Sequence, residues 1–326
     1  MIRVALALIL AIASIGAASA QSDTAPANWP DRPLRMIVPL PAGSAVDSVG
    51  RLIAQRLAAR LAQPVIVENR AGASGAIGAD AVAKAAPDGY TLGMATSTTH
   101  MTAAVLNAKL PYDPIKDFAP VAIVGVSPYV LVVNPKVPAN NIAELIALAK
   151  AKPRTLSYSS VGNASQGHLA AELFAAMAGV ELNHIPYKTS THAVIDLNEG
   201  RIDMQFGILG SSLALIREGK LRALAVTTPR RLEDVPDVQT MVEAGLPGYD
   251  VSLVFAVVMP AGTPTPIVAR LNREIGEFVA TPELKRVLAA QAIQAVSSTP
   301  DELRERIAKE IALWRGIAQK AGIKPE

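Results

Sequence analysis

The run Ile37-Val38-Pro39-Leu40-Pro41-Ala42-Gly43-Ser44-Ala45-Val46-Asp47 joins residue types that together hold an anion. An apolar strand enters a Pro/Gly turn, and the helix that follows opens on small residues and an acid. Backbone N–H groups at such a turn point past the end of the strand, where a carboxylate or phosphate can accept them. Three further loops carry hydroxyls, glycine and helix-start residues: Thr96-Ser97-Thr98-Thr99, Ser159-Ser160-Val161-Gly162-Asn163 and Tyr187-Lys188-Thr189-Ser190. Each alone reads as helix capping. Taken as a set, each beyond a predicted strand of an open α/β sheet, they read as the walls of a ligand site.

Other chemistries fit less well. Ser160, Ser165 and His168 raise the alternative of a secreted serine hydrolase. A nucleophile elbow needs Gly-x-Ser-x-Gly, whereas Gly162-Asn163-Ala164-Ser165-Gln166-Gly167 is one residue out of step. His168 falls in the first turn of a predicted helix, where a capping or ligand hydrogen bond suits it better than the role of base. His184 and His192 lack helical i, i+4 spacing and a paired carboxylate, which speaks against zinc. There is no Gly-x-x-x-x-Gly-Lys-Ser/Thr loop, and Gly72, Gly75 and Gly78 miss the Gly-x-Gly-x-x-Gly spacing. No catalytic residue, metal or cofactor is expected.

The elements that position these loops alternate. Strands are predicted at Leu34 to Pro39, Pro64 to Glu68, Thr91 to Ala95 and Val121 to Val124, with helices at Val46 to Leu61, Gly75 to Ala85 and Thr98 to Leu106. A second series runs from a strand at Val130 to Val133 through Leu221 to Thr227. These are βαβ units and mostly parallel sheets. After a strand at Leu253 to Met259 the chain is helical, and these helices are expected to pack back on the first lobe. The expected organisation is a signal peptide over 1–20, a discontinuous lobe 1 over 21–124 and 228–326, and lobe 2 over 125–227.

Half of the 326 residues are hydrophobic, enough for a large core. With no cysteine, disulfides and thiolate metal sites are excluded, and so is a lipoprotein anchor. The net charge of +3 is small and interspersed, which gives nucleic-acid binding no support. Arg3, the apolar run Val4 to Ile15 and Ala18-Ser19-Ala20 have the pattern of a secretory leader cleaved after Ala20. That run is shorter than the roughly 20 residues a membrane span needs.

Several phrases resemble one family, the Bug/TctC receptors of tripartite tricarboxylate transporters. They are Arg35 to Asp47, Gln63 to Ala73, Ala86 to Leu92, Leu110 to Pro114, His184 to Lys188, Gly219 to Val226 and Glu243 to Tyr249. The resemblance implies an α/β, two-lobed type II periplasmic-binding-protein fold, each lobe a mostly parallel sheet flanked by helices, with two interlobe crossings. It implies a monomeric periplasmic protein that captures a mono- or dicarboxylate and meets the membrane subunits of the transporter; a ligand-sensing receptor for a two-component system is the alternative. By motif match the ligand role passes to Pro41, Ala42, Gly43, Ser44 and Asp47, with Ser97, Thr98, Ser160, Gly162, Asn163, His168, Tyr187 and Lys188 as further lining. The chain departs from the family pattern at Ser44, where Gly is usual, and at Gly207, where Phe206 is commonly followed by Asp. Losing that acid favours a plain carboxylate, bulkier or aromatic ones included, over an amino acid.

Overall fold

A computed structural model describes residues 28–162, 165–187, 189–320, 322–323 and 325. The expected leader, Asn163 and Lys188 lie outside the described residues. The first half of the chain runs β1 (Leu34–Val38), α1 (Ala45–Leu61), β2 (Val65–Asn69), α2 (Ala76–Ala83), β3 (Thr91–Thr96), α3 (Ala103–Leu106) and β4 (Phe118–Val133). Next come α4 (Ile142–Ala151), β5 (Ser157–Ser160), α5 (Gln166–Ala178), β6 (Asn183–Pro186), α6 (Ser190–Glu199), β7 (Met204–Ile208), α7 (Leu209–Arg217) and β8 (Arg222–Val226). The chain returns through β9 (Ser252–Pro260), α8 (Thr265–Val279), α9 (Pro282–Ala289), β10 (Gln294–Ala295) and α10 (Pro300–Lys320).

The strands follow the order β2-β1-β3-β9-β4-β7-β5-β6. β1 pairs in parallel with β2 and β3, and β5 in parallel with β6 and β7, so each lobe has its parallel set. β4 is the spine. Its residues Phe118 to Pro128 pair antiparallel with β9, and Tyr129 to Val133 pair with β7 and β8. The sequence predicts two strands here, Val121 to Val124 and Val130 to Val133, and the residues between them include the turn formers Gly125, Ser127 and Pro128. They mark a change of partner instead. Gly125 leaves room for β10, since a Cβ there would lie 2.8 Å from Ile293 Cγ2 and 2.9 Å from the Gln294 carbonyl. Pro128 stands at the last pair with β9, opposite Ser252, and Tyr129 begins the pairing with β7 opposite Ile208.

This handover decides where a site can be. β3 is antiparallel to β9 with Thr96 opposite Phe255, and β7 is antiparallel to β4 with Ile208 opposite Tyr129. The carboxyl ends of both parallel sets therefore face the same place, the crossing at Pro128 and Tyr129.

α8 packs on β4 and on α1. α10 does more. Its Leu303, Ile307, Ile311 and Trp314 share one buried cluster with Met101 and Val105 of the first lobe and with Leu169 and Phe174 of α5 in the second. The last helix is thus a strap over both lobes. Its apolar stripe is broad enough to serve two surfaces, which a one-sided reading of the pattern could not reveal.

The exit of β1 is held against α2 by close backbone contact. A Cβ on Gly78 would lie 2.6 Å from Pro39 Cα and 2.7 Å from the Arg70 carbonyl oxygen, and backbone atoms cannot swing aside. Gly78→Ala is expected to lower stability by about 1–3 kcal/mol in urea denaturation; an unchanged midpoint contradicts the contact.

Candidate ligand-binding cleft

The crossing opens into a cleft of about 580 Å³. The first lobe contributes Ser74, Thr98, Thr102, Leu106 and Asn107, the crossing strands Tyr129 and Leu253, and the second lobe Val161, Ser165 and Gln166. Among the described residues of this lining none is charged. A cavity of about 660 Å³ lies elsewhere, between the loop at Leu110 to Asp117 and α10, and contains none of the expected site residues.

On the first lobe, hydrogen bonds inside the loop after β3 leave Thr98 facing the cleft. The Thr96 amide donates to Thr99 Oγ1 at 3.0 Å, Thr99 Oγ1 meets His100 Nδ1 at 2.9 Å, and the Tyr112 phenol donates to the Thr99 carbonyl at 2.6 Å. Beside it, Ala73 and Ser74 hold φ of +47° and +53°. Two consecutive non-glycine residues in the left-handed region are strained, and strain of this kind gathers where a site needs its wall in one place.

On the second lobe the wall is the start of α5. Ser165 caps it by accepting from the His168 amide at 3.4 Å, and Ser165 and Gln166 both line the cleft. A helix start carries partial positive charge and unpaired N–H groups, so it attracts an anion without a charged side chain. Tyr129 supplies the sharpest donor. It is 8% exposed, and its phenol has no hydrogen-bond partner among the described residues, although its backbone is fixed to Thr227 in both directions. Burial raises its pKa, so the hydroxyl keeps its proton.

Many residues expected from the sequence are engaged internally. Asp47 is buried and accepts from the Gly43 amide, Arg51 Nε and Asn69 Nδ2, each at 2.9 Å. Burial works against its charge, but the bonds from Arg51, Gly43 and Asn69 hold the carboxyl below its ordinary range. Ser44 Oγ caps α1 by accepting from the Asp47 amide, and Pro41, Ala42 and Gly43 form an exposed rim over that cap. Ser97 is fully buried; its hydroxyl donates to the Ser252 carbonyl and accepts from the Val254 amide. The Tyr187 phenol donates to Asp196, and Gly207 sits inside β7 opposite Val130. Of the expected set, Thr98 lines the cleft directly, and Ser160 and Gly162 flank Val161, which also lines it.

Ser160 meets His184 rather than His168. Its single proton goes to the Gly162 carbonyl at 2.8 Å, so His184 Nε2, 2.7 Å away, must be the donor to Ser160. Ser160 is only 2% exposed. His168 stacks on His184 with ring centroids 4.0 Å apart.

Sequence reasoning missed Ser74, Thr102, Tyr129 and Gln166. Ser74 and Gln166 stand beside glycines that were weighed only as nucleotide or hydrolase motifs, and Tyr129 lies in the gap between two apolar runs that are one strand.

Residues 49–323 match the profile of TctC, the tripartite tricarboxylate transporter family receptor. The chain belongs to this family. It is similar to protein BugT of Bordetella pertussis, 41% identical over 318 residues that make up 97% of this chain and 96% of BugT. Its fold is similar to an R. palustris protein solved with adipate, at 37% identity and a TM-score of 0.74, covering 91% of this chain and 100% of that one. It is also similar to MatC of Rhodopseudomonas palustris with bound malate, at 32% identity and a TM-score of 0.70, covering 89% of this chain and 99% of MatC. The two-lobed periplasmic-binding-protein fold expected from the sequence is thus the fold of this TctC-family chain. Among its described residues no helix is long and apolar enough to cross a membrane.

The histidines behind the cleft make a prediction about pH. His184 falls from 6.5 to about 4, chiefly because burial penalises the charged ring and further because His168 lies against it. His100 falls to about 3 through burial. The unfolded chain takes up these protons near pH 6.5 and the folded protein only at about pH 4 or below, so stability drops as pH falls through that window. Melting temperature should therefore decline from about pH 7.5 to about pH 4.5. His184→Gln, whose amide can still donate to Ser160, should decline less; a fall as large as in the unaltered protein contradicts the assignment.

Proposed function

We propose that this chain is a periplasmic receptor that captures a small organic mono- or dicarboxylate, aromatic ones included, in the interlobe cleft and presents it to the membrane subunits of a tripartite tricarboxylate transporter. The observation that carries the reading is the cleft itself: an uncharged lining in which the start of α5, Tyr129, Ser74 and Thr98 border one space at the lobe crossing. That is a donor-rich pocket with apolar walls from Leu106, Val161 and Leu253, suited to a carboxylate on a carbon skeleton. The relatives solved with adipate and malate are carboxylate binders of the same fold.

Each hydrogen bond to a carboxylate contributes about 1.5–3 kcal/mol. Two or three, together with closure of the lobes, suffice for micromolar binding at about −8 kcal/mol. Capture without turnover fits Ser160, which is only 2% exposed and donates to the Gly162 carbonyl at 2.8 Å. Pro128 and Ser252 form the joint about which the lobes close over the ligand.

A thermal-shift screen of carboxylates on ligand-free protein tests the reading, because a ligand at about 100 times its dissociation constant adds roughly 2.7 kcal/mol of stability. At least one carboxylate should raise the melting temperature, and none should be consumed. Tyr129→Phe should then weaken that ligand by about tenfold or more in calorimetry with little change in the melting curve of the empty protein. Unchanged affinity removes Tyr129 from the site.

A further inference from the structure

Gln166 opens α5 and lines the cleft, yet it is only 7% exposed. One end of its amide is fixed, with Nε2 donating to the Ser252 carbonyl at 2.7 Å. A carbonyl can only accept, so the amide cannot turn over without setting two oxygens against each other. The other end, Oε1, is buried and has no hydrogen-bond partner among the described residues. An acceptor in that state carries a free-energy penalty that an incoming donor removes. A carboxylate offers no donor. Something else on the ligand must provide it.

We infer that Gln166 Oε1 accepts a hydrogen bond from a hydroxyl on the ligand, so that the receptor selects hydroxy-carboxylates over their unsubstituted analogues. The inference rests on the carboxylate reading of the same cleft. An ammonium would also donate, but the described lining holds no acid to meet its charge, and β7 carries Gly207 near its end. A hydroxyl brings the donor without the charge. The division of labour is then chemical: Tyr129 and the start of α5 donate to the carboxylate, and Gln166 Oε1 accepts from the ligand's hydroxyl. Oε1 is covered in this structure, so the bond requires the cleft wall at the start of α5 to shift as the ligand enters.

Malate, succinate and aspartate share one four-carbon dicarboxylate skeleton and differ only in a hydroxyl, a hydrogen or an ammonium at one carbon, which makes them direct probes. In calorimetry on the ligand-free protein, malate should bind on the order of tenfold more tightly than succinate, and aspartate no more tightly than succinate. Gln166→Met should abolish the malate preference, whatever it does to succinate affinity through the lost bond to the Ser252 carbonyl, with a melting curve to confirm folding. The comparison on the unaltered protein decides the matter even if that variant does not fold. Equal affinity for malate and succinate, tighter binding of aspartate, or a malate preference that survives Gln166→Met overturns the inference while leaving carboxylate binding standing. If no carboxylate of any chain length binds, the underlying reading fails and this inference with it.

Discussion

The backbone carbonyl of Ser252 is the point on which the two lobes depend. It accepts from Ser97 Oγ of the first lobe at 3.2 Å and from Gln166 Nε2 of the second at 2.7 Å. The side chain of the same residue accepts from Arg306 Nη2 of α10 at 2.9 Å. Both lobes and the strap helix thus meet at the first residue of β9, where it pairs with Pro128 at the handover of β4. A buried carbonyl with two donors is well satisfied, and removing either donor shifts the balance between the lobes rather than the content of either. Arg306 also bonds Glu310 at 2.8 Å, and burial pushes the Glu310 carboxyl up despite that guanidinium. The strap is anchored by a charged group that has few alternatives.

From this joint the character of the cleft follows. A site at the meeting of two sets of strand ends is surrounded by helix starts and loops, which offer N–H groups and hydroxyls rather than charged side chains. An anion held in that way is bound by dipoles already in place, at no cost in desolvating a buried lysine or arginine. The weak net charge of the chain is consistent with such a mode. It needs no basic patch.

Much of the architecture was legible because helix and strand periods, caps and βαβ alternation are local signals. α1, β3 and β9 fall within a residue of the expected bounds, with Ser44 as the cap of α1. The cleft was less legible. Ser97, Asp47 and Tyr187 have the residue types of a ligand site, but a loop must first satisfy its own buried polar groups, and the sequence does not tell which hydroxyl is left over. Tyr129 and Gln166 escaped notice for the opposite reason. Their contacts lie far along the chain, at Thr227 and Ser252, and only the paired strands bring those residues together.

The central claim is that a carboxylate sits at the lobe crossing and is held by the Tyr129 phenol and the start of α5. A crystal structure of the protein with a bound dicarboxylate tests it most directly. The account predicts a carboxylate oxygen within hydrogen-bond distance of the Tyr129 hydroxyl and of a backbone amide in the first turn of α5, with the lobes closed over it. A ligand seated instead in the cavity beside α10, or in the cleft but out of reach of both groups, contradicts it.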